Sequence, residues 1–153
     1  MDVFTHYEAM EHLKNKKPRV LYISYGETDE WAHAGKYVYY LDAAHQVDAW
    51  IKEIWDFVQA VAKYKNKTTV LITTDHGRGD VVKANWTNHG QRIDDSGQIW
   101  FAILGPNTPV TGEQTASQQL YQKQFAQTLA KTLGLIYTAE HPVAIEISTV
   151  LKK

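Results

Sequence analysis

The stretch TTVLITTDHGRG, residues 68–79, changes character at its midpoint. Its first part, TTVLITT, is β-branched and apolar on both faces, which predicts a strand buried inside a sheet. Its second part sets adjacent Asp75 and His76 at the carboxyl end of that strand, followed by Gly77, Arg78 and Gly79. Glycines at such a point permit sharp turns and close approach of the backbone to a ligand. Two similar β-rich runs flank it: RVLYISY at 19–25, after the breaker Pro18, and IWFAIL at 99–104. Between the first two runs, residues 36–62 carry Leu41, Ala44, Val47, Ile51, Ile54, Trp55, Val58 and Ala62 at helical intervals, the pattern of an amphipathic helix packed on a sheet. Beyond Gly105-Pro106-Asn107, residues 115–133 repeat the pattern with Leu120, Phe125, Leu129 and Leu133, and Gly134 is its expected stop. Strands alternating with helices predict an α/β sandwich with a mainly parallel sheet, one domain over 1–153. Ligand-binding groups are then expected in the loops beyond the carboxyl ends of the strands.

Composition narrows the partners. The 16 Lys and Arg nearly balance the 17 Asp and Glu, for a formal net charge of −1, so no basic field exists to track nucleic acid or an anionic membrane. A small molecule is the expected partner. With 0 Cys, thiolate metal sites, disulfides and cysteine nucleophiles are excluded, and any metal must be held by His, Asp or Glu. No apolar run is long enough to span a bilayer, and the N-terminal residues do not read as a secretory signal. The compartment stays open, export of a longer parent protein to a periplasm included. The 5 Trp and 9 Tyr are expected to fill the core and its rim.

Three polar clusters are candidates for chemistry. In the first, Gly26 to His33, one helical turn would put Asp29 and His33 on the same face at i, i+4 spacing, able to share an ion. The second is Asp75-His76-Gly77-Arg78-Gly79, in which Arg78 could bind a substrate oxyanion. The third is Asn85-Trp86-Thr87-Asn88-His89-Gly90, a loop that could return a further ligand. Thr74, Asn88 and Glu27 are candidates for orienting the ligands, or are simply turn residues. His6, His12, His45 and His141 are expected to have surface or packing roles.

The order Asp-x-x-x-His, then a strand ending Thr-Thr-Asp-His-Gly, then Asn-His-Gly, then a strand ending Leu-Gly-Pro resembles the C-terminal half of the alkaline phosphatase superfamily. That superfamily embraces phosphatases, nucleotide pyrophosphatases and phosphodiesterases, sulfatases and cofactor-independent phosphoglycerate mutases. The resemblance covers about residues 19–109 and implies a three-layer α/β sandwich, of which this chain would be the C-terminal part. It implies a site for two divalent metal ions, zinc or manganese, with Asp29, His33 and His89 on one ion and Asp75 and His76 on the other. The implied substrate is a small phosphate or sulfate ester.

The Ser or Thr nucleophile and the further Asp ligand of that superfamily precede the segment matching Asp29. Neither Asp2, Thr5 nor Ser24 has the right context. The expectation is therefore a fragment of a larger metallohydrolase domain that needs its missing N-terminal part, holds one ion or none alone, and is inactive alone. A phosphomutase and a non-catalytic α/β interaction domain are the alternatives.

Overall fold

Asp2, His6, Ala9, Met10 and Leu13 recur at three- and four-residue spacing. In the computed structural model, which describes residues 1–115 and 118–152, they form the buried face of a first helix, α1 (Asp2–Asn15). The chain gathers into two compact units, Met1–Ala62 with His76–Ile99, and Lys63–Asp75 with Trp100–Lys153. The architecture is mixed α/β.

The first unit is helical. After α1 come α2 (Glu27–His33) and α3 (Tyr37–Ala60). Gly35, at φ +67°, ends α2: its N–H donates to the Ala32 carbonyl at 2.8 Å, and the Lys36 N–H reaches the Trp31 carbonyl at 2.9 Å. This paired closure needs a left-handed residue, which glycine supplies without a Cβ clash. The expected helix over 36–62 is α3, and Val58 of the predicted inner face is buried, but toward the N-terminal half the face is rotated: Ala43 and Trp50 are buried while Leu41 and Ala44 are exposed. The rotation follows from what α3 packs against. It lies along α2, and Trp50 stacks on the ring of His6 of α1 at 4.8 Å. Burying side chains such as Trp50, Val58, Met10 and Leu13 stabilises the unit by roughly 1.5–3 kcal/mol each.

His6 is 0% exposed, and both its ring nitrogens have partners, Nδ1 to the Tyr25 hydroxyl at 3.0 Å and Nε2 to Glu53 Oε2 at 3.1 Å. It has the packing role expected of it. The Asp2 carboxylate accepts the N–H groups of Gly26 at 2.9 Å and Glu27 at 2.8 Å, satisfying donors at the start of α2 that the helix itself leaves open.

The second unit holds β1 (Val70–Thr73) and β2 (Phe101–Leu104), which form a two-stranded antiparallel sheet with Val70 opposite Leu104 and Thr73 opposite Phe101. Two of the three expected strands therefore exist, shortened. Their pairing is antiparallel where the sheet was expected to be mainly parallel, and residues 74–100 between them are a loop, as expected, with a short 3-10 turn at Lys83–Thr87. The expected strand at 19–25 joins no ladder among the described residues. Burial alternates along it, with Val20 and Tyr22 63% and 85% exposed, so only one of its apolar faces is covered.

At the end of β2, Gly105 has φ +156°, and a Cβ there would lie 2.8 Å from Thr69 Cα, so the strand can exit only through glycine. The helix predicted over 115–133 is shorter: a 3-10 turn, Gln122–Gln124, leads into α4 (Phe125–Thr132), which ends at Gly134 (φ +70°) as expected. Residues 116 and 117 of that prediction lie outside the described residues. Phe125 packs on Phe101 of β2 with ring centroids 5.3 Å apart. No helix among the described residues is long and apolar enough to cross a membrane.

Candidate metal centre

Asp29 and His33 lie one turn apart on α2, where the i, i+4 spacing brings His33 Nε2 to 3.4 Å from Asp29 Oδ2. His89 arrives from the loop after the Lys83–Thr87 turn. Its Nε2 is 3.0 Å from His33 Nε2 and 3.5 Å from Asp29 Oδ1. One ligand atom from each of Asp29, His33 and His89 falls within 4.8 Å of the others, although His33 and His89 are 56 residues apart in the chain. Donors on a tetrahedral zinc at about 2.0–2.1 Å would be about 3.3 Å apart; the two imidazole Nε2 atoms are 3.0 Å apart here, and the Asp29 carboxylate turns a different oxygen to each, Oδ2 to His33 and Oδ1 to His89. One carboxylate and two imidazoles, without thiolate, suit zinc, manganese or iron.

His76 faces the same carboxylate, with Nε2 3.7 Å from Asp29 Oδ1 and its ring stacked on His89 at 3.7 Å and 16°. His76 Nδ1 lies 2.9 Å from the Gly77 carbonyl, an atom that can only accept, so Nδ1 is the donor of that bond and Nε2 is the nitrogen turned toward Asp29.

Arg78 is drawn in as well. Its Nη2 donates to Asp29 Oδ1 and, at 3.2 Å, to the Asp29 carbonyl, while Nη1 donates to the Trp86 carbonyl at 3.5 Å. Its side chain is only 15% exposed. The guanidinium thus places a permanent positive charge beside the Asp29 carboxylate and holds this ligand candidate in place.

Of the residues singled out by sequence, Asp29, His33, His76, Arg78 and His89 meet in the first unit. Asp75 closes the 63–75 segment of the second unit, where its carbonyl accepts a hydrogen bond from Gln122 Nε2 at 3.4 Å. Of the residues considered for orienting the ligands, two side chains are engaged elsewhere: Glu27 accepts the Asp2 N–H at 3.3 Å, and Asn88 Nδ2 donates to Thr87 Oγ1 at 3.0 Å.

Two residues that sequence reasoning passed over bear on the site. Asp2 fixes the entry to α2 through its two N–H acceptances, just ahead of Asp29. Ser96, buried in a segment that reads as a plain Asp-Asp-Ser-Gly turn, bonds to both Gly77 and Gly90. The available signal was the repeated His-Gly pair, since two ligand loops need something to hold them.

The model of the Metalloenzyme superfamily matches residues 4–142 of the chain. No curated protein and no solved structure matches it.

Proposed function

The chain belongs to the Metalloenzyme superfamily, within the alkaline phosphatase-like proteins, and from that premise we propose that it is the metal-binding part of a phosphate or sulfate ester hydrolase. The observation that carries this reading is the convergence of Asp29, His33 and His89. These three hold one divalent ion, zinc or manganese. His76 would serve a second ion, together with an Asp and a Ser or Thr nucleophile from a longer parent. Such ions supply positive charge beside the ester's oxygens and acidify a hydroxyl nucleophile.

The chain's own groups do the rest. Asp29 and the histidines fix the ions' places. Arg78 adds a cation at the edge where the ester's anionic oxygens arrive, and guanidinium suits phosphate and sulfate alike. In the parent, residues 19–25 become a strand of a larger, mainly parallel sheet within a three-layer sandwich. The exposed Val20 and Tyr22 support this, because a run apolar on both faces gains most when both are covered. Alone, the chain hydrolyses no ester.

Metal content after equilibrium dialysis against zinc or manganese tests the reading. The wild-type chain should retain about one ion, and Asp29→Ala and His89→Ala should each bind at least about tenfold more weakly, as removal of one of three protein ligands requires. Equal metal content in all three proteins would overturn it.

A further inference from the structure

His76 and His89 are each followed by glycine, and both glycines are tied to one residue. The Gly77 N–H donates to the Ser96 carbonyl at 2.7 Å. The Gly90 N–H donates to the Ser96 hydroxyl at 3.1 Å, and that hydroxyl donates back to the Gly90 carbonyl at 2.7 Å. Ser96 is itself 5% exposed, and its N–H is held by the Ile93 carbonyl at 3.3 Å.

Both glycines are suited to the clamp by what a side chain would meet. A Cβ on Gly77 would lie 2.3 Å from the Gln98 carbonyl oxygen and 3.1 Å from that of Asp95, so the close approach that delivers its N–H to Ser96 needs glycine. Gly90 has φ +112°, a conformation that strains any other residue. The clamp fixes the peptide units directly after His76 and His89, whose rings lie stacked at 3.7 Å with both Nε2 atoms toward Asp29.

We propose that Ser96 is a positioning residue of the metal centre: it locks the His76-Gly77 and His89-Gly90 turns into one register and so sets the two imidazoles for coordination. The inference rests on the metal reading above. Ser96 is not a ligand in this role. Its hydroxyl proton is spent on the Gly90 carbonyl, and it acts through backbone.

Cobalt(II), read by its visible absorption, probes coordination directly on the 153-residue chain. Wild type should give a histidine-coordinated spectrum. Ser96→Ala, which removes the hydroxyl arm to Gly90 and keeps the backbone arm to Gly77, should bind cobalt about tenfold more weakly with a shifted spectrum, the scale set by loss of groups that orient ligands. Ser96→Thr, which keeps the hydroxyl, should recover most of both. Wild-type affinity and spectrum in Ser96→Ala overturn the positioning role while leaving the metal reading standing. Absence of cobalt binding by wild type overturns the metal reading, and this inference with it. If Ser96→Ala does not fold, amide exchange of the wild-type chain decides: protection of both Gly77 and Gly90 upholds the clamp, and rapid exchange at either overturns it.

Discussion

Each oxygen of Asp29 has a basic neighbour, His33 at Oδ2 and His89, His76 and Arg78 at Oδ1, so a single carboxylate organises the centre. Its geometry is delivered by backbone turns, and those turns make the sharpest residue-level predictions. Gly90→Ala forces a side chain into φ +112° and should cost about 1–3 kcal/mol in urea unfolding. Gly97 has no positive φ, and a Cβ added to it would meet nothing within 4 Å, so it is the control: Gly97→Ala should stay within about 0.5 kcal/mol of wild type. Equal costs at the two positions would remove the strain argument.

Tyr25 offers a test in pH. Burial, and then the negative charges of Asp2 and Glu53, push its hydroxyl from 10.0 up to about 12. The native state therefore holds that proton after the unfolded chain has released it. Its contribution to stability is complete below pH 10 and is lost as pH rises from 10 toward 12. Denaturant midpoints measured across that range should fall more steeply for wild type than for Tyr25→Phe. Parallel slopes would show that the Tyr25 proton contributes nothing.

Among the elements, those set by local spacing were legible and those set by tertiary packing were not. The helix at 36–62 was legible because its apolar spacing is sustained over many turns, and α3 spans Tyr37–Ala60. Its orientation was legible only in part: Val58 of the expected stripe is buried, but Ala43 and Trp50 turn inward in place of Leu41 and Ala44, because the choice of stripe depends on α1 and α2. The helix α1 was missed altogether: its inner stripe includes Asp2 and His6, polar residues whose burial makes sense only once Gly26, Glu27, Tyr25 and Glu53 are in place. Residues 19–25 have strand composition, but a strand also needs a neighbour's hydrogen bonds, and composition cannot supply one. The convergence of Asp29, His33 and His89 was legible, since Asp29-x-x-x-His33 needs only a helical turn and His89 needs only the loop to return.

The C-terminal helix carries an element-scale prediction. Thr128 of α4 is 0% exposed; its hydroxyl donates to the Gln124 carbonyl at 2.8 Å and accepts the Ile147 N–H at 3.0 Å, tying the helix to the 145–147 segment. Thr128→Val keeps the shape and removes the acceptor, leaving the Ile147 N–H buried without a partner at a cost of about 1–3 kcal/mol. Thr128→Ser keeps the acceptor and loses one methyl, about 0.8 kcal/mol. Urea unfolding should rank Thr128→Val as the more damaging, and the reverse order would mean that packing, not the hydrogen bond, ties α4 down.

For the whole molecule, the chain passes between its two compact units at 62/63, 75/76 and 99/100, and the second passage falls between Asp75 and His76. The ligand triad, by contrast, lies wholly within one unit, on α2 and on the 76–99 segment. An ion that binds the folded unit and not the unfolded chain stabilises it by mass action, about 2.7 kcal/mol at a hundredfold excess over the dissociation constant. Added zinc should therefore raise amide protection first along Gly26–His33 and across 76–90, the stretches that carry the ligands. The His89→Ala protein should show no such gain, since the remaining pair on α2 is an ordinary i, i+4 contact that exists without an ion. A gain of equal size in wild type and His89→Ala would place the zinc elsewhere and detach the stability of this unit from the triad.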